Sequence, residues 1–165
     1  MVVAGGSGLR QTDTTLMSDS VLVRDLMTAR VVTIGMDDSL ADARHRFARY
    51  GFHHLIVTER GRAVGVLSDR DVLRHLSPFI DTPLVQRSQD LATLQRRIHQ
   101  IMTRRLIAID PDSTAAQAAH LMVEQKVSCL PVIDERERVV GIITLRDLAR
   151  WLVAQCERAA SAESL

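Results

Sequence analysis

Residues 25–47, "DLMTARVVTIGMDDSLADARHRF", and residues 100–122, "QIMTRRLIAIDPDSTAAQAAHLM", align without a gap. Met27, Thr28, Arg30, Ile34, Asp37, Ala41, Ala43 and His45 return as Met102, Thr103, Arg105, Ile109, Asp112, Ala116, Ala118 and His120, at a constant offset of 75. Gly65, Arg70 and Asp71 then return as Gly141, Arg146 and Asp147 at an offset of 76. The added residue falls in "TERGRA" against "IDERERV", where a hairpin turn absorbs it. An internal repeat constrains the fold strongly, because each copy is one supersecondary block. A block of about 55 residues buries too little surface alone, so the two must pack together.

The copies share one pattern. A β-branched run (residues 31–34 and 106–109) precedes helix-capping residues: Asp37, Asp38 and Ser39 in one copy, Asp112, Ser113 and Thr114 in the other. Leu40, Ala43, Phe47 and Tyr50 follow at helical spacing, matched by Ala115, Ala118 and Met122. Two apolar runs joined by polar turns come next, and a second helix closes each copy, over residues 69–76 and 145–153. The expected fold is α+β: two β-α-β-β-α repeats packed with pseudo-two-fold symmetry. We divide the chain into a flexible arm (1–19), a first repeat (20–79), a connector and helix (80–95), a second repeat (96–155) and a tail (156–165). In "LATLQRRIHQIM", Leu91, Leu94, Ile98 and Ile101 share one helical face, which predicts a helix leading into the second repeat.

The 21 basic and 20 acidic residues cancel to +1, which argues against a binder of nucleic acid or anionic membrane driven by bulk charge. The two cysteines, Cys129 and Cys156, belong to no ligand cluster, so neither a structural disulfide nor a zinc site is expected. No apolar run approaches the roughly 20 residues that span a bilayer, and residues 1–17 do not resemble a secretion signal, so a cytoplasmic protein is expected. There is no nucleophile–base pair, metal set or P-loop, so no enzyme is expected. Adjacent histidines in "GFHHLIV" are frequent metal ligands, but successive strand residues face opposite ways and no nearby acid or cysteine completes a set.

"GVLSDRD" (65–71) and "GIITLRD" (141–147) each place a hydroxyl three residues before an acid, where a strand gives way to a helix. That spacing is nearly a capping box, a requirement of the fold alone. Taken together, the ordered elements "DLMT…VVTI…SLADA" and "QIMT…LIAID…STAAQAA", each followed by an apolar hairpin and by these motifs, resemble a stand-alone pair of cystathionine β-synthase (CBS) domains, sometimes called a Bateman module.

The resemblance implies a regulatory module that binds adenosine-containing ligands (AMP, ADP, ATP or S-adenosylmethionine, with or without Mg²⁺) in two clefts between the repeats. It also implies a homodimer that acts on a partner protein, as yet unknown. A structural or nucleic-acid-binding pair without nucleotide sensing is the alternative. N–H groups at a helix start can hold phosphate, a carboxylate accepts from two vicinal ribose hydroxyls, and Gly65 and Gly141 would let a ligand approach closely. By carry-over, Thr144 and Asp147 face Thr28 to Val32 together with His53 and His54. Ser68 and Asp71 face Thr103 to Ile107 and the run Ser128 to Pro131, with Ser128, Cys129 and Pro131 the expected contacts. Adenine is expected among Val32, His54 or Ile107, Cys129, and phosphate near the recurring arginines Arg30, Arg70, Arg105 and Arg146. The second repeat has the family's proline at Pro131, whereas the first has Ile56, so the cleft lined by His53 and His54 is expected to have an altered wall.

Overall fold

The computed structural model describes residues 21–82 and 87–162; the arm expected at 1–19 lies outside the described residues. The first repeat contains α1 (Val23–Leu26), β1 (Thr33–Gly35), α2 (Leu40–Tyr50), β2 (His54–Glu59), β3 (Arg62–Ser68) and α3 (Asp69–His75). The short helix α4 (Ser88–Thr93) and a 3-10 turn, Ile98–Gln100, lead into the second repeat, which contains α5 (Ala115–Gln125), β4 (Cys129–Ile133), β5 (Val139–Thr144) and α6 (Leu145–Ala162). Ser39 caps α2 and Thr114 caps α5, each accepting the N–H of the residue three positions on. Both helices end in the left-handed region, at Gly51 (φ 67°) and Lys126 (φ 55°). The α+β repeat architecture therefore holds.

The two sheets differ at one strand. In the first, β1 runs parallel to β2 with Thr33 opposite Ile56 and Ile34 opposite Val57, and β2 is antiparallel to β3. In the second, among the described residues, only β4 and β5 form a ladder, and the run at 106–109 keeps a single parallel bridge, Ile109 to Val132. Pro131 accounts for the loss. It occupies the place of Ile56 and has no N–H to donate to the neighbouring strand. Its carbonyl still accepts from the Ile109 N–H at 3.0 Å, so one bridge survives. The hairpins differ as well: Arg60 and Gly61, both at positive φ, make a two-residue turn, whereas residues 134–138 make a longer loop held by the Asp134 carboxylate.

The opening segment of each repeat crosses into the other. Val23 is fully buried with Ile109, Ala118, Met122, Leu130 and Ile143 of the second repeat. Ile98 and Ile101 pack with Ile34, Leu40, Leu55, Leu67 and Val72 of the first. The backbone follows the same rule. Thr28 and Ile142 exchange hydrogen bonds of 2.9 and 3.1 Å, and Thr103 and Val66 exchange bonds of 2.9 and 3.0 Å. These pairs are related by the repeat offsets, so the packing has the expected pseudo-two-fold symmetry.

These crossings explain two glycines. A Cβ at Gly65 would stand 2.6 Å from the Thr103 carbonyl oxygen, and a Cβ at Gly141 would meet the Met27 thioether. The space over both glycines is filled by protein, not left for the approach of a ligand. The connector also departs from expectation. The carbonyls of Leu94 and Arg96 accept the N–H groups of Ala41 and Leu40 at the start of α2, while Ile98 and His99 donate to Asp38 and Met36. Serving the unpaired donors of α2 breaks the expected single helix into α4 and the 3-10 turn, and leaves Leu91 exposed at 49%. In the opposite sense, α6 runs on to Ala162, beyond residue 153 where the apolar spacing ends, through a stretch rich in the helix formers Ala, Gln, Glu and Arg.

Candidate functional site

The strand-to-helix junctions carry the two motifs. Asp71 Oδ2 accepts from the Ser68 N–H (3.0 Å) and hydroxyl (2.6 Å), and Ser68 Oγ accepts the Asp71 N–H at 3.2 Å. Asp147 Oδ2 does the same with Thr144, at 2.9 and 2.6 Å, and Thr144 Oγ1 accepts the Asp147 N–H at 3.3 Å. Both pairs are complete capping boxes. So is Ser39 with Asp42, at the exposed start of α2, where the two hydrogen bonds to Asp42 Oδ2 are 2.9 and 2.5 Å. The cap therefore does not distinguish a binding acid from a structural one; position does. Asp71 and Asp147 stand at clefts between the repeats, with side chains 23% and 13% exposed. In each, Oδ1 takes no part in the cap and lies only 3.9 or 3.8 Å from an exposed arginine, Arg74 or Arg150.

The Asp147 cleft, of about 340 Å³, is lined by Thr144, Asp147, Arg146, Thr28, Arg30, Val31, Val32, His53 and His54. The Asp71 cleft, of about 260 Å³, is lined by Ser68, Asp71, Thr103, Arg105, Ile107, Ser128 and Cys129. Each draws its acid from one repeat and its facing wall from the other, which is the arrangement the family resemblance implies. Register explains the geometry. His54 pairs with Ser68 and Cys129 with Thr144, so each cap hydroxyl leaves the sheet beside a residue of the neighbouring strand. The first N–H of each helix is taken locally, Asp69 donating to the His53 carbonyl and Leu145 to that of Ser128.

Two expected residues are elsewhere. Arg70, the second residue of the short α3, is exposed and lines neither cleft. Pro131 is buried inside β4 and also lines neither cleft, so the exchange of Ile56 for Pro131 changes the sheet and not a cleft wall. Conversely, Gly51 and Phe52 line the Asp147 cleft, and Lys126 and Val127 the Asp71 cleft. The repeat offset maps Gly51 to Lys126 and Phe52 to Val127, immediately before His53 and Ser128; that correspondence was the available signal for all four. Phe52 stacks parallel to Tyr50 with centroids 5.5 Å apart and meets Phe47 edge-on.

Charge is distributed unevenly. Arg30 and Arg146 come to the Asp147 cleft from opposite repeats, and neither has a partner among the described residues. At the Asp71 cleft Arg105 donates to Gln125 Oε1 at 2.6 Å, and Lys126 stands beside it. His53 Nδ1 lies 2.7 Å from the Asp69 carboxylate. Burial holds the His54 imidazole below its ordinary value, against the pull of the nearby Asp69 carboxylate. Burial also pushes the Cys129 thiol up to about 12, so it stays protonated and serves as an apolar wall. Among the described residues no group of three or more His, Cys, Asp or Glu is placed to hold a metal ion, and no helix is long and apolar enough to cross a membrane.

The comparisons with known proteins agree with this architecture. The chain is 29% identical over 136 residues to L-aspartate semialdehyde sulfurtransferase of Methanocaldococcus jannaschii, an alignment covering 82% of this chain but only 24% of that protein. Among solved structures it is similar to the CBS domain pair of protein MJ0100 in complex with 5′-methylthioadenosine and S-adenosyl-L-methionine, at 26% identity and a TM-score of 0.68 over 82% of this chain and 98% of that one. It is also similar to CBSX2 in complex with AMP, at 25% identity and a TM-score of 0.65 over 82% of this chain and 98% of that one. The family model described as "CBS domain" matches twice, at residues 23–78 and 98–154. Two matched copies, crossed at their opening segments and enclosing two related clefts, make this chain a tandem member of the CBS domain family.

Proposed function

We propose that this chain is a regulatory module that senses adenosine-containing ligands, AMP, ADP, ATP or S-adenosylmethionine, in its two inter-repeat clefts and modulates a partner protein according to their occupancy. One observation carries the proposal: each cleft is lined by an acid that anchors its helix cap through Oδ2 and leaves Oδ1 outside the cap. A carboxylate oxygen so held is pre-positioned to accept from ribose hydroxyls without losing the cap. The ligands named for the MJ0100 pair and for CBSX2 support the choice of class. In this assignment Asp71 and Asp147 take ribose. Val32 with His54, and Ile107 with Cys129, flank adenine. Arg30, Arg146 and Arg105, with Thr28 and Thr103, meet phosphate or its substitute.

The test is native mass spectrometry of the purified protein for a co-purified nucleotide, followed by calorimetry with the four ligands, with and without Mg²⁺. Binding of one or two equivalents is expected. No heat and no thermal shift at millimolar ligand would sink the assignment.

A further inference from the structure

Two side chains line both clefts. His54 and Ser128 stand where the Asp147 and Asp71 clefts meet, with His54 Nε2 and Ser128 Oγ 3.1 Å apart. The pseudo-two-fold maps this contact onto Cys129 and His53, and the contact is not repeated there. His53 turns instead to the Asp69 carboxylate, and Cys129 is buried. The shared wall thus comes from divergence of the two copies.

Its capacity is small. Burial favours the neutral imidazole, which has one N–H and one acceptor nitrogen, and the Ser128 hydroxyl has a single proton to donate. Nδ1 of His54 has no partner among the described residues. A ligand in either cleft that turns this imidazole or hydroxyl towards itself withdraws it from the other. A second connection runs the same way: His53 lines the Asp147 cleft, and its partner Asp69 opens α3, two residues before Asp71.

Resting on the reading of both clefts as adenosine sites, we propose that they compete for His54 and Ser128, so that a ligand bound in one weakens binding in the other. By linkage the effect is reciprocal, and a coupling of about 5-fold or more is the ordinary size for such interactions.

Calorimetry of AMP with the full chain, Asp71→Asn and Asp147→Asn tests this. Asparagine keeps an acceptor for the cap and removes the charge offered to ribose. Each variant is expected to bind one AMP through its remaining cleft. The unmodified chain is expected to bind its second AMP at least about 5-fold more weakly than the matching single-cleft variant. Repeating the set in a background carrying both His54→Ala and Ser128→Ala is expected to bring that ratio close to one. Two affinities in the unmodified chain equal to those of the variants would overturn the competition and leave the nucleotide assignment standing. So would binding by only one of the two variants, since a single cleft would then be in use. No heat from AMP, ADP, ATP or S-adenosylmethionine would remove the nucleotide assignment itself, and the competition with it.

Discussion

Where α2 ends, the chain turns left-handed through Gly51; where α5 ends, it makes the same turn through Lys126, the only lysine in the protein. Glycine takes positive φ without strain, whereas a side chain there costs about 1 kcal/mol. The residues that follow diverge in step, Phe52 against Val127, His53 against Ser128 and His54 against Cys129. One backbone path therefore brings Phe52 and His53 to the Asp147 cleft alone and Lys126, Val127 and Cys129 to the Asp71 cleft alone, while His54 and Ser128 line both. Opposite these walls both clefts keep the hydroxyl–acid cap. The duplication preserved what the helix start requires and let the facing rim vary, so differences in ligand preference between the clefts are to be sought on the rim.

The largest effect is expected from removing the difference between the sheets. Ile56→Pro deprives β2 of the N–H that ties it to β1, as Pro131 does in the second repeat, and is expected to destabilise by about 3 kcal/mol in urea unfolding. A change below a few tenths would show that this donor does not hold β1. The glycines come next. Gly65→Ala meets a backbone carbonyl and is expected to lose about 2 to 3 kcal/mol, whereas Gly141→Ala meets a thioether that can rotate away and should lose about 1 kcal/mol or less. Equal losses would break that contrast.

The three capping acids sharpen the comparison further. Asp71→Ala and Asp147→Ala are each expected to weaken ligand binding in their own cleft by roughly 10- to 100-fold, from loss of a charge-assisted hydrogen bond. Both, like Asp42→Ala, also lose about 1 kcal/mol of stability with the cap. Asp42→Ala should leave ligand affinity unchanged. If Asp71→Ala and Asp147→Ala alter stability alone, the acids are caps and nothing more. At the helix ends, Lys126→Gly is expected to gain about 1 kcal/mol and Gly51→Ala to lose as much, both in thermal unfolding. A loss on Lys126→Gly would mean that the lysine side chain contributes more than its backbone strain costs.

The smallest effect is that of pH. Burial lowers the His54 value in the folded chain, so below its ordinary value of 6.5 the unfolded chain binds the additional proton more readily. The contribution of His54 to stability is therefore complete above that pH and declines as pH falls below it. Stability–pH curves for the unmodified chain and His54→Gln should diverge only on the acid side.

The caps at Ser68 and Thr144 were legible in the sequence because each pairs with an acid three residues on; for α2 and α5 the sequence offered three candidates each, and the structure selects Ser39 and Thr114. The facing of Asp147 by Thr28 to Val32 was legible only through the family resemblance. The connector misled because Leu91, Leu94, Ile98 and Ile101 do have helical spacing; what breaks the helix is the demand of α2 for the Leu94 and Arg96 carbonyls, a contact between distant segments. Pro131 was visible as a departure, but its consequence belonged to sheet pairing and not to the cleft.

The sequence by itself determined two matched blocks, their caps and the two hydroxyl–acid motifs, because these depend on periodicity and near neighbours along the chain. Only the tertiary structure decided that the opening segments cross, that Gly65 and Gly141 make room for them, and that His54 and Ser128, 74 residues apart, meet between the clefts. Such contacts arise when the two cores form together, and no local pattern records them.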